Sequence, residues 1–211
     1  MAPPSDPRLL VLHGLRLKGA ADVEALAEQA GVGVDEVRRQ LVALTGEGLV
    51  AERDVAPVGW SLTPGGRAAA ERAVVAEVEG AGARLAVTAA YDRFRTLNVT
   101  ALDTCSRWQV REVGGRPVLN DHADPSYDAA VVDDLARLQD EADPLLDDLS
   151  STLGRYRTYA PRLRRAVSRV EAGDGDWFTK PSLPSYHTVW FELHQDLLAT
   201  LGLDRSAEAV P

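Results

Sequence analysis

Apolar residues recur at helical spacing in the first part of the chain, and glycines close each run. An apolar helix is predicted at RLLVLHGL, and a second over residues 23–30, where Gly31 follows at the position that favours a left-handed residue. A third helix is predicted after Gly33, and it ends near Gly46 and Gly48. Its apolar stripe consists of Val34, Val37, Leu41 and Leu44.

Two short strands and another helix are predicted next. Residues 49–51 favour a strand and residues 60–62 favour its return, with DVAPVG as a short wing between them. Thr63 is suited to a helix N-cap and Pro64 to the first helical position. Residues 8–72 therefore predict a winged helix-turn-helix, an arrangement that indicates sequence-directed DNA binding.

This segment resembles the winged-helix regulators of the MarR and PadR type. The stretches GVGVDEVRRQLVALTGEGLV and WSLTPGGRAAAER carry the resemblance, which covers about a third of the chain. The resemblance implies that the helix after Gly33 enters the major groove and that the wing contacts the DNA backbone. Arginine commonly reads guanine and glutamine reads adenine. The positions implied to face DNA are Asp35, Arg38, Arg39 and Gln40, with Arg53 at the base of the wing.

The charge of this segment departs from that of a typical DNA-binding domain. Residues 1–72 contain eight Lys or Arg and ten Asp or Glu, and the whole chain has a net charge of −9. Contacts to phosphate normally dominate affinity for DNA. Such a domain binds DNA as a dimer, binds it weakly, or does not bind it. The alternative function is a winged helix used for protein contacts.

The remainder of the chain is predicted to be helical. The fold class is therefore mainly α, with the winged helix-turn-helix over residues 1–75 and a bundle of four or five helices over residues 76–211. No strand is expected after residue 76. These helices are expected to form a homodimer, chiefly through a final helix that carries Val189, Leu193 and Leu197.

Eleven of the twelve aromatic residues follow residue 76, which suggests either a packed core or a pocket for a small molecule. If there is a pocket, its ligand is a small anionic or aromatic effector. The predicted lining consists of Tyr91, Phe94, Asn98, Trp108, Tyr159 and Trp190.

Charge is segregated along the second region. Residues 121–148 contain ten acidic residues and one arginine, whereas residues 155–169 contain six arginines and no acid. Two neighbouring helices with complementary faces would explain this pattern. The other reading is that one of these arginines binds the anionic group of the effector, since guanidinium groups suit carboxylate and phosphate.

Other classes of function find little support. The sequence has no nucleophile motif and no phosphate-binding loop, so neither an enzyme nor a cofactor is expected. Cys105 is the single cysteine and lies on an apolar helical stripe, which favours a structural thiol, and no metal site is expected. No long apolar run and no secretory signal are present, so a cytoplasmic protein with no membrane partner is expected.

Overall fold

The protein is mainly helical and carries two small antiparallel sheets. A computed structural model describes residues 2–56 and 58–203. Pro57 of the predicted wing and residues 204–211 of the predicted second domain lie outside these ranges. The elements are α1 (Pro7–Lys18), β1 (Ala20–Ala21), α2 (Val23–Ala30), α3 (Val34–Gly46), β2 (Val50–Arg53), β3 (Gly59–Leu62), α4 (Pro64–Gly80), α5 (Arg84–Gln109), β4 (Val110–Val113), β5 (Arg116–Leu119), α6 (Pro125–Thr152), a 3-10 helix (Gly154–Thr158), α7 (Tyr159–Glu171), α8 (Asp176–Thr179) and α9 (Tyr186–Leu201).

The described chain divides into two compact units. The first unit comprises the described residues within Met1–Thr88, Leu149–Thr158 and His194–Pro211. The second unit comprises Ala89–Asp148 and Tyr159–Leu193. The units are therefore not continuous stretches of chain, because two late segments pack with the N-terminal residues in the first unit.

The first unit contains a three-stranded sheet in the order β1-β3-β2. Val50 pairs with Leu62, which confirms the predicted strand and its antiparallel return. The strand β1 was not predicted, and in it Ala21 pairs with Trp60. Two alanines show no alternation of apolar and polar residues, so no periodic signal marks this strand.

The predicted helix ends in the first unit are confirmed. Gly31 has a φ of 66° and closes α2 in the left-handed conformation. Thr63 caps α4, because its hydroxyl oxygen accepts a hydrogen bond from the Gly66 amide at 3.1 Å, and Pro64 is the first helical residue. The core beneath these elements includes the apolar stripe of α3 at Val37, Leu41 and Leu44 and, from α1 and α2, Leu12, Leu15 and Leu26.

The second unit contains a hairpin that contradicts the expectation of no strand after residue 76. Strands β4 and β5 pair antiparallel from Val110 with Leu119 to Val113 with Arg116. Gly114 and Gly115 both have positive φ, 59° and 75°, which is the conformation that a two-residue hairpin turn requires. The glycine pair is the turn between these two strands.

The final helix α9 is buried along the face that was expected to form a dimer. Val189, Leu193 and Leu197 are each fully buried within the chain. The prediction that these side chains form an intermolecular interface is therefore wrong. Because these side chains are buried within the chain, they are not available to a partner chain, and a dimer must use other surfaces.

The long helices α5 and α6 are each continuous. α5 runs as one helix through Asn98, and α6 continues through Pro144.

Within residues 2–56 and 58–203, no helix combines the length and apolar character needed to cross a bilayer.

Candidate nucleic-acid interface

Local capping positions the helix pair α2–α3 in the first unit. Asp22 caps α2 by accepting a hydrogen bond from the Ala25 amide at 2.7 Å. Gly31 then reverses the chain, and Gly33 precedes α3 in extended conformation. Because the apolar stripe of α3 faces the core, the opposite face of this helix is exposed.

The exposed face of α3 carries the predicted DNA-reading arginines. The side chains of Arg38 and Arg39 are 57% and 68% exposed. Arg38 lies 3.5 Å from Asp35 and 3.6 Å from Glu24. Arg39 forms an ion pair with Glu36, one turn earlier on the same helix. Each arginine is therefore neutralised by an acidic neighbour.

Glu36 binds two of the predicted DNA-contacting residues at once. Gln40 donates a hydrogen bond from Nε2 to Glu36 Oε1 at 2.8 Å, and Arg39 donates to Oε2. These contacts, that of Gln40 first, lower the pKa of Glu36. Exposed ion pairs of this kind are weak, so Glu36 does not hold Arg39 firmly.

The first unit also exposes three valines. Val42, one turn after Arg38, is 73% exposed, and Val55 and Val58 in the connection between β2 and β3 are each 66% exposed. Arg53 is half-buried at the end of β2. The candidate surface thus combines paired arginines with apolar side chains, and it carries no excess of positive charge.

The second unit brings together three of the residues predicted to line a ligand pocket. The rings of Phe94 and Trp190 stack with centroids 5.0 Å apart. Trp190 donates from Nε1 to Asn98 Oδ1 at 3.0 Å. This bond satisfies the inward amide oxygen that was a candidate ligand contact. Tyr91 and Tyr159 are also buried in this unit.

Trp108 has different neighbours from the other five predicted pocket residues. Its ring stacks on Phe178 with centroids 4.6 Å apart and lies 4.5 Å from the ring of His122. His122 has a φ of 56° and alone has positive φ among the non-glycine residues that the structure describes. Its Nδ1 lies 3.0 Å from Asp128 Oδ2.

Arginines of the 155–169 segment have acidic partners within their own units. In the second unit, Arg164 pairs with Asp143 on α6, as complementary helix faces predict, and the buried Arg162 pairs with Glu192 at 2.6 Å. The Nε and Nη1 groups of Arg162 have no hydrogen-bond partner in the described part of the chain.

The first unit contains a buried polar network that was not foreseen. Arg155 donates to Asp196 at 2.8 Å, to Glu77 at 2.9 Å and to Thr200 at 2.6 Å. The His13 ring reaches the same Asp196 oxygen at 2.9 Å. Each partner lies at least 41 residues from Arg155 in the chain, so helical spacing alone could not reveal the network.

The same unit contains a cavity of about 630 Å³ next to α1 and α4. Its lining includes Ala69, Ala73, Ala76 and Gly80, which recur along one face of α4. Their spacing of three or four residues is the sequence signal that could have found this wall of the cavity. The depth of the cavity depends on α1 and residues 152–154, which only the tertiary structure places beside it.

Residue chemistry does not point to a metal or to a reactive thiol. The described residues contain no group of three or more His, Cys, Asp or Glu side chains that could hold a metal ion. Burial raises the pKa of the Cys105 thiol to about 12, which keeps it protonated and unreactive at neutral pH. This agrees with the structural thiol predicted from its apolar stripe.

Comparisons with protein-family models, with curated proteins and with solved structures find no match for this chain.

Proposed function

We propose that the first unit is a winged helix-turn-helix that binds double-stranded DNA, and that the protein is a homodimeric transcriptional regulator. The observation that carries this proposal is the order of elements from α1 to α4. A helix and a short strand precede the pair α2–α3, and two antiparallel strands and a helix follow it, with sheet order β1-β3-β2. The exposed face of α3 then takes the position of a major-groove helix.

Substitutions on α3 test this proposal. Arg39→Ala and Arg38→Ala are each expected to cost about 1–3 kcal/mol of binding to the selected site and to relax base preference there. Glu36→Gln should instead strengthen binding by about 0.3–1 kcal/mol, because it removes a carboxylate that competes for Arg39. Selection of genomic fragments followed by titration measures both. Arg67→Ala and Arg95→Ala provide exposed controls on α4 and α5.

The acidic character of the unit makes the selection conditions important. Affinity falls steeply with salt when it depends on phosphate contacts. Enrichment should therefore be sought at low ionic strength. If no sequence is enriched there, the DNA-binding proposal fails.

Assembly gives an independent prediction. One winged helix with so few cations makes too few phosphate contacts, and a two-fold dimer doubles them and places half-sites roughly 34–36 Å apart. We expect light scattering at micromolar protein to give twice the 22.7 kDa chain mass. A palindromic selected site should accompany it. A monomer mass, or a single unrepeated half-site, would count against the dimer.

The alternative function is a protein-contact surface on the same unit. Its specific support is the exposure of Val42, Val55 and Val58 in a unit whose α3 arginines are already paired. Interface centres are depleted in charge and favour apolar side chains. Val42→Ser separates the two functions, because it leaves the arginines in place. Loss of DNA binding limited to the arginine variants supports the first function.

A further inference from the structure

The cavity of the first unit has the size and character of a small-molecule site. Its volume of about 630 Å³ falls within the range of roughly 300–1,000 Å³ that such sites occupy. Leu9 and Leu12 on α1 and Ala73 on α4 give it an apolar wall. Arg8, Arg72, Asp6 and Glu77 supply its charged groups.

The acidic groups at the cavity are already engaged by the protein. Asp6 caps α1 by accepting from the Arg8 amide at 2.7 Å. Glu77 accepts from the Ser5 hydroxyl and from Arg155 Nε, the latter at 2.9 Å. Both carboxylates thus already hold structural contacts within the first unit.

The two arginines at the cavity differ in whether they have a partner. Arg8 donates two hydrogen bonds of 2.6 Å to Glu47, one to each carboxylate oxygen. Arg72 is exposed, and the described residues give it neither a hydrogen bond nor an ion pair. Arg72 is therefore the arginine of the lining whose guanidinium has no partner among the described residues.

We infer that this cavity binds an amphipathic anion, a molecule with an apolar body and one carboxylate group. The apolar body lies against Leu9, Leu12 and Ala73, where it displaces water from apolar surface. The carboxylate pairs with Arg72, since charge-assisted bonds between guanidinium and carboxylate are strong and directional.

The site adjoins the proposed DNA-reading helix through one ion pair. Glu47 is the C-cap residue of α3, and Arg8 of the cavity holds it. A ligand that fills the cavity therefore lies next to an arginine that contacts the end of α3. Any effect of the ligand on DNA binding rests on the proposed function, whereas binding of the ligand does not.

Calorimetric titration of the full chain with decanoate tests the site. Buffer alone and the short anion acetate serve as references. We expect saturable binding of decanoate and none of acetate, because acetate lacks the apolar body. Arg72→Gln should weaken decanoate binding about tenfold, while Arg67→Gln, an exposed arginine of the same helix outside the cavity, should leave it unchanged.

A second pair of variants tests the cavity itself. Ala76→Phe fills the site from an exposed position and should abolish binding. Val75→Phe, on the neighbouring position outside the lining, should have no effect. Thermal unfolding checks that both variants fold. Absence of saturable binding, or equal binding by Ala76→Phe and Val75→Phe, would overturn the inference, and neither result depends on whether the protein binds DNA.

Discussion

Replacing Arg155 with methionine is expected to lower the free energy of unfolding by about 3–5 kcal/mol. The side chains of Arg155 and Asp196 are each only 1% exposed. The guanidinium connects Asp196 to Glu77 and Thr200, and His13 approaches the same carboxylate. Methionine keeps much of the volume but removes the charge. Asp196 and Glu77 then lose their shared cation in a site from which water is largely excluded.

Urea unfolding of the purified chain measures this loss, and Arg164→Met is its matched control. Arg164 also pairs with a carboxylate, that of Asp143, but its side chain is about half exposed. A surface pair of this kind contributes about 0–1 kcal/mol. An Arg155→Met loss no larger than that of Arg164→Met would show that the buried network does not hold the first unit together.

A double-mutant cycle separates the pair from its surroundings. Asp196→Leu alone leaves the Arg155 charge buried with one fewer partner, whereas the double variant removes both charges of this contact. The double variant should therefore lose less stability than the two single losses combined, because neither charge is left behind. Additive losses would mean that Arg155 and Asp196 act independently.

Gly66→Ala is expected to destabilise the first unit by about 3 kcal/mol, at the upper end of the usual cost of overpacking. A Cβ placed on Gly66 would lie 1.9 Å from the carbonyl oxygen of Leu49. That oxygen also accepts the backbone hydrogen bond of Thr63, so it cannot move without disturbing the start of α4. The close approach of the two backbones therefore requires glycine at this position.

Its neighbour Gly65 is the matched control and should respond in the opposite direction. A Cβ at Gly65 would meet its nearest neighbours at 3.7 Å, which is ordinary van der Waals contact. Gly65→Ala should be neutral or stabilise the protein by up to about 1 kcal/mol, because alanine favours helix. Denaturant midpoints of the two variants compare them directly. Equal effects from both substitutions would contradict the contact between α4 and Leu49.

The helix ends illustrate what local sequence can predict. Gly31, Thr63 and Pro64 act through contacts within a few residues, so their effects can be read without knowledge of the fold. The same applies to the stripe of Val37, Leu41 and Leu44, whose burial follows from helical periodicity. The hairpin around Gly114 and Gly115 shows the limit of such interpretation, since a glycine pair marks a turn but does not say whether strands flank it.

The sequence by itself determined most of the helices that the structure describes, several of their ends, the pairing of β2 with β3 and the exposure of Arg38 and Arg39 on α3, because each depends on short-range spacing. Only the tertiary structure decided that Arg155 is buried while Arg164 is exposed, although both stand in one arginine-rich segment. It also buried the face of α9 that was expected to form a dimer and placed a cavity beside α1 and α4. These features depend on partners that are distant in the chain, and the spacing of residues within one element carries no information about which distant element will pack against it.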